Sequence, residues 1–277
     1  MGQRNMGQRN MGQRNMGQRN MSQRNIGRRV ALSILTAFPL AFAAAQSGAA
    51  DLKVLGAGPV EHTFKDLMPA FTQATGHKAE GTFDTIGVIE RKLKAGEKAD
   101  ILILTTAAMD EMTKAGSLIP GSNAEVGRGT SGLAVRAGAP VPDISTPDAL
   151  KRTLIAARSV AYVDPAVGAT NGIFFARLLE RLGVADEVNK KAILFRRGYE
   201  VAQAVADGRA EIGNTSLTEL APHKGLTVVG PIPEPLGLVV TYVAGVSSAS
   251  PNAEPARALI SFLTTPEARA RFKAAGL

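Results

Sequence analysis

The sequence predicts an α/β protein of two lobes, each a sheet flanked by helices, with two strands crossing between them as a hinge. Three features carry that expectation. Short apolar runs alternate with helical patterns that stop at glycine. The same grammar starts again midway through the chain. A proline-rich segment, Pro231-Ile232-Pro233-Glu234-Pro235, then precedes a return strand.

The first fifty residues stand apart from this pattern. Met-Gly-Gln-Arg-Asn occurs four times over 1–20, and 21–25 is a near copy. A five-residue polar period has no apolar stripe for either a helix or a strand, so it is set outside the fold. Arg28-Arg29, the apolar stretch 30–45 and the small-residue tract 43–50 form a signal-peptide pattern. That stretch is shorter than the roughly 20 residues a spanning helix needs. The expectation is a leader at 1–50, export to the periplasm and a mature chain from 51.

Removing the leader changes the charge. It holds seven of the 32 basic residues and no acid, which leaves 25 bases against 24 acids and a net charge of +1. The basic pI therefore does not point to nucleic acid, and with no Trp there is no basic-aromatic cluster to suggest it. The absence of Cys excludes disulfides, thiolate metal sites, thiol catalysis and a lipid-modified N-terminus.

In order, the first lobe is expected to open with a strand at 52–55 that stops at Gly56-Ala57-Gly58-Pro59. A helix at 61–75 follows, with Phe64, Leu67, Met68 and Phe71 on one face. Next come a strand at 78–83, a helix ending at Gly96, a buried strand at 99–105 and a helix ending at Gly116. This order predicts a parallel sheet. The second lobe is expected to hold strands at 131–136, 159–163, 192–195 and 210–214, with helices at 147–157, 171–182 and 198–207. Residues 238–246 form a returning strand and 254–275 a final helix. The assignment is 51–130 with 239–277 for lobe 1 and 131–238 for lobe 2, joined near 127–131 and 231–238.

Several segments resemble the solute-binding proteins of molybdate-type ABC transporters, within the type 2 periplasmic-binding-protein superfamily. They are 92–103 (Lys-Leu-Lys-Ala-Gly-Glu-Lys-Ala-Asp-Ile-Leu-Ile), Asp164-Pro165 with 172–176, Ala210-Glu211-Ile212-Gly213, and the ending 258–277. The resemblance implies a monomeric receptor that takes a small anion, an oxyanion or organic carboxylate, to an inner-membrane permease without a cofactor or metal. Molybdate binders hold their oxyanion with two serines, backbone N–H groups and a tyrosine. The matching positions here are Pro59, Ile86, backbone near Asn171 and Gly198, and Ser216, so the oxyanion set is not reproduced. A few relatives of the superfamily resemble isomerases of small tricarboxylates such as aconitate, which is the alternative activity.

The residues themselves point to an anion at helix N-termini, where unpaired N–H groups and partial positive charge collect. Three polar, small-residue leads qualify: Gly58-Pro59-Val60, Asp84-Thr85-Ile86-Gly87 and Gly168-Ala169-Thr170-Asn171-Gly172. From these, Gly58, Pro59, Val60, Thr85, Ile86, Gly87, Thr170 and Asn171 are expected to bind, with Gly198, Asn214 and Ser216 completing the set. The plainer reading makes Thr85 and Thr170 or Asn171 ordinary N-caps. Gly56-Ala57-Gly58 is not a dinucleotide loop, because Glu61 stands where a third glycine belongs. For the isomerase alternative, His62 and Arg197 are the candidate catalytic residues. The plainer reading leaves His62 solvated on its helix and the Arg196-Arg197 pair solvated at a strand end. Arg128 and Ser131 lie at the expected hinge.

Overall fold

The computed structural model describes residues 48–277. The expected leader therefore lies, but for its last three residues, outside the described residues. The chain runs β1 (Asp51–Ala57), α1 (Glu61–Thr75), β2 (Lys78–Asp84), α2 (Ile86–Lys94), β3 (Ile101–Thr105), α3 (Thr106–Lys114) and β4 (Ala124–Arg136). It continues with α4 (Pro147–Ala156), β5 (Val160–Val163), α5 (Thr170–Arg181), α6 (Ala185–Asn189), β6 (Ala192–Phe195) and α7 (Gly198–Ala206). Last come β7 (Ile212–Ser216), α8 (Leu217–Leu220), β8 (Leu226–Pro231), β9 (Val239–Val246), α9 (Ala253–Leu263) and α10 (Pro266–Ala274).

The apolar patterns become buried faces. Every residue of β3 is buried, as a strand covered on both sides requires. In α1 the Phe64, Leu67, Met68 and Phe71 stripe is buried, and the helix stops at Gly76 with φ 74°. That left-handed cap suits glycine, which has no Cβ to clash.

Strand order is β2-β1-β3-β9-β4-β7-β5-β6, with β8 also on β4. The β2-β1-β3 and β7-β5-β6 runs are parallel as expected, whereas β9 and β4 are antiparallel to their neighbours. The strand expected at 131–136 is the second part of the 13-residue β4. Its residues 124–130 pair with β9, and 131–136 pair with β7 and β8. One strand thus threads both lobes. At the change of partner, the Ser131 carbonyl accepts from Ile232 N–H at 3.0 Å and its N–H donates to the Leu238 carbonyl at 3.4 Å. Both crossings meet there.

The apolar cores divide likewise. One gathers Leu52, Phe71, Ile103 and Val126 with Tyr242, Leu259 and Phe272; another gathers Leu133, Leu150, Tyr162, Phe175 and Ile232. The strand expected at 210–214 begins two residues later, at Ile212, because Ala210 still packs with α7 residues. The single helix expected over 254–275 is two. Thr265 caps α10 by accepting from Ala268 N–H, and Pro266 takes its first position, where a missing N–H costs nothing. None of the described helices is long and apolar enough to cross a membrane.

Phe272 is fully buried and ties α10 into the first core. Phe272→Ala should lower unfolding free energy by about 3–5 kcal/mol in urea titrations, the usual cost of emptying a buried aromatic site.

Candidate functional site

A cavity of about 510 Å³ opens between the lobes. One wall holds Gly58 and Pro59 after β1, the first turn of α1 (Glu61, His62, Lys65), and Asp84, Thr85 and Ile86 between β2 and α2. The other holds Thr170 and Asn171 at the start of α5, Arg197, Gly198 and Tyr199 at the start of α7, and Thr215, Thr218 and Glu219. Tyr242 of β9 also lines it. These loops follow the carboxyl ends of strands, where α/β folds place ligands.

The two walls touch. Arg197 Nη2 lies 2.5 Å from Asp84 Oδ2. Gly87 N–H donates to the Gly168 carbonyl at 3.1 Å, and Thr85 Oγ1 donates to the Val167 carbonyl at 3.2 Å. Two glycines permit this approach. A Cβ on Gly87 would stand 2.6 Å from Val167 O, and one on Gly168 2.7 Å from Gly87 Cα. Gly168 also has φ 79°, which a larger residue adopts only with strain.

Glu219 is the chemically distinctive group. It is half-buried, and Thr215 Oγ1 donates to its Oε2 at 2.7 Å. Gly198 leaves room for that oxygen, since a Cβ there would collide with it. Loss of hydration pushes the Glu219 pKa up to about 7, and the negative charge of Glu61 adds to the rise. The Thr215 hydroxyl and the Ser216 backbone N–H oppose the shift without cancelling it. Tyr242 is buried, and its hydroxyl pKa is pushed up by burial and then by the Glu219 charge. A second unusual atom is Asn171 Oδ1, buried without a hydrogen-bond partner among the described residues.

Of the residues singled out in the sequence, Gly58, Pro59, His62, Thr85, Ile86, Thr170, Asn171, Arg197 and Gly198 line the cavity. Val60, Gly87, Asn214 and Ser216 do not. Val60 packs into the first core, and Gly87 belongs to the contact between walls. Asn214 Nδ2 donates to Ser131 Oγ and the Gly132 carbonyl, and Ser216 Oγ shares a hydrogen bond with Thr218 Oγ1. The N-cap reading corrects in part: Thr85 precedes α2 but makes no capping bond, because its hydroxyl is spent across the cleft. Neither Thr170 nor Asn171 is the N-cap of α5; Ala169 is. His62 is exposed, 3.5 Å from Asp66, as a solvated helix residue would be. Arg128 pairs with the neighbouring Glu125 instead of entering the cleft.

Glu219, Thr215 and Tyr242 were not singled out from sequence. Leu217-Thr218-Glu219-Leu220 reads as an ordinary solvated turn of helix. The usable signal was the Thr215/Glu219 spacing across the end of a buried strand. Among the described residues no group of three His, Asp or Glu could hold a metal ion.

The profile of bacterial extracellular solute-binding proteins matches residues 52–277. An aconitate isomerase from a Pseudomonas species is 34% identical over 232 residues, covering 82% of this chain and 87% of that protein. Among solved structures, the Azotobacter vinelandii periplasmic molybdate-binding protein superposes with TM-score 0.67 at 20% identity, covering 81% of this chain and 97% of that one. The substrate-binding domain of a putative molybdenum ABC transporter from Clostridium difficile gives TM-score 0.63 at 17% identity, covering 82% and 98%. These two establish similarity of fold.

The absence of native Cys makes site-specific labelling clean. With spin labels on cysteines placed at exposed Lys94 and Arg181, one in each lobe, Gly87→Ala should lengthen the inter-label distance, since the added Cβ meets Val167 O and Gly87 has no left-handed φ to strain. Melting temperature should move little, because the strain is relieved by parting the walls.

Proposed function

The chain belongs to the bacterial extracellular solute-binding protein family, and within it we propose that the cleft isomerises a small tricarboxylate of the aconitate type, with Glu219 moving the proton. The observation that carries this reading is a cleft carboxyl, Glu219, enclosed by Gly58, Gly198 and Thr215, so that burial pushes its pKa up to about 7. An anion receptor gains nothing from an acid in its pocket, since an ionised Glu would repel the ligand. An isomerase needs such a group, and a general base works best with its pKa near the working pH. The 34% identity to an aconitate isomerase supports the same reading.

The chemistry asks for no oxidant, reductant or cofactor. Aconitate is propene bearing three carboxylates. Ionised Glu219 takes a proton from the saturated carbon next to a carboxylate, breaking that C–H bond. The electron pair spreads over the three-carbon system and its carboxylates. The same carboxyl returns the proton to the other end, so the double bond shifts, its geometry is reset and Glu219 is regenerated. Arg197 offers a planar donor fork for a substrate carboxylate, and Lys65 a second cation. The N-termini of α2, α5 and α7 contribute partial positive charge beside the same cavity.

The lobes, taken as 51–130 with 239–277 and 131–238, close about the Ser131 crossing. A second reading keeps the same frame as a receptor for a carboxylate or oxyanion serving an ABC permease. The contacts between Gly87 and Gly168 and between Arg197 and Asp84 favour it, since they fasten the shut form a permease would recognise. Both readings place the protein in the periplasm, with residues 28–50 as a cleaved signal.

Proton NMR of trans-aconitate with the purified protein separates the two. The isomerase reading predicts appearance of the cis form, and binding without conversion supports the receptor. Glu219→Gln should cut turnover by about 10²–10⁴-fold while leaving substrate affinity within a few-fold. Because Glu219 works as a base, kcat should rise about tenfold per pH unit on the acid side and level off above about 7.

A further inference from the structure

Glu219 belongs to one lobe but is enclosed by both. α8 follows β7, which pairs with β5 and with residues 131–135 of β4. Its Oε2 is crowded by Gly198 and Thr215 of the same lobe. Its Oε1 faces the other side, where a Cβ on Gly58 would stand 3.1 Å away.

We propose that closing the cleft is itself what encloses the Glu219 carboxyl, so that lobe closure and protonation of this group are one coupled event. The Gly58–Pro59 backbone that withholds water and the Glu61 carboxylate both come from the first lobe. Each disfavours the ionised form. The Thr215 hydroxyl and Ser216 N–H, which favour it, sit beside Glu219 in its own lobe and travel with it. Parting the walls removes the first lobe's share of the burial and the Glu61 charge, and retains the hydroxyl and N–H that favour the ionised form. The sign of the coupling is therefore fixed.

The other charges around the cavity are largely paired. On α1, Glu61 holds Lys65 at 2.5 Å and His62 lies near Asp66. At α7, Arg197 holds Asp84 from the end of β2 and lies over the Tyr199 ring. Beyond α8, His223 meets Gln203. Glu219 carries the coupling by its position between the lobes.

This inference rests on the isomerase reading for its purpose: the open cleft carries an ordinary, weakly basic carboxylate, and only the shut one makes a base strong enough to take a carbon-bound proton. Its test does not depend on turnover. The full chain, without ligand and at fixed ionic strength, carries spin labels on cysteines at Lys94 and Arg181, and its distance distribution is followed from pH 5 to 8.5. Closure binds a proton, so the shut population is favoured on the acid side. The shut-to-open ratio should fall, by up to about tenfold per pH unit, as pH rises toward 7, then level off. Glu219→Gln should abolish that dependence, and Glu61→Gln should move its upper limit to lower pH. A distance distribution independent of pH, or an identical response in Glu219→Gln, overturns the proposal. Conversion of trans-aconitate is scored separately. A pH-linked closure without conversion keeps the coupling and removes the isomerase reading, and conversion without pH-linked closure does the reverse.

Discussion

β4 exchanges hydrogen-bond partners at residues 130 and 131, passing from β9 to β7 and β8 without a break in the strand. A strand shared in this way joins the two sheets along a single backbone. Ser131 stitches the second crossing to the first through its own N–H and carbonyl. The consequences reach the cleft directly. β7 runs antiparallel beside 131–135, so its end delivers α8 and Glu219 to the seam. β9, paired on the other side, brings Tyr242 to the same place.

The cleft combines few uncommitted charges with many backbone dipoles. Arg197 and Asp84 neutralise one another across it, and Lys65 is engaged by Glu61. Among the described residues Glu219 has a hydroxyl and an N–H but no cation paired with it, and dehydration therefore dominates its ionisation. The guanidinium proposed to take a substrate carboxylate is the one that holds Asp84, so in that reading binding and the grip between walls share a residue. The buried, unpartnered Asn171 Oδ1 adds a polar contact on the far side of the cavity.

The fold was largely legible because its signals are local. Glycines mark where helices stop, and the continuous apolar run of β3 and the α1 stripe reflect burial directly. The joining of 124–130 to 131–136 into one strand was not legible, since pairing with β9 and β7 is a matter of distant partners. The site divides on the same line. Loops that feed helix N-termini, such as Thr85-Ile86 and Thr170-Asn171, reach the cavity as expected. Asn214 and Ser216 lie in β7 off the cavity wall, with Asn214 spent on the Ser131 seam. Glu219 was hidden because its character comes from Gly58, Glu61 and Gly198, residues some 20 to 160 positions away in sequence. His62 drew notice as a residue type that moves protons, yet its surroundings leave it exposed.

The proposed proton transfer and its coupling to closure both depend on the ionisation of a single side chain, Glu219. Carbon-13 NMR of protein labelled at glutamate carboxyls, with the Glu219 resonance assigned by its loss in Glu219→Gln, follows that ionisation directly. The account predicts a titration midpoint near 7 when the cleft is shut. A midpoint near 4.5, that of an ordinary glutamate, would contradict it.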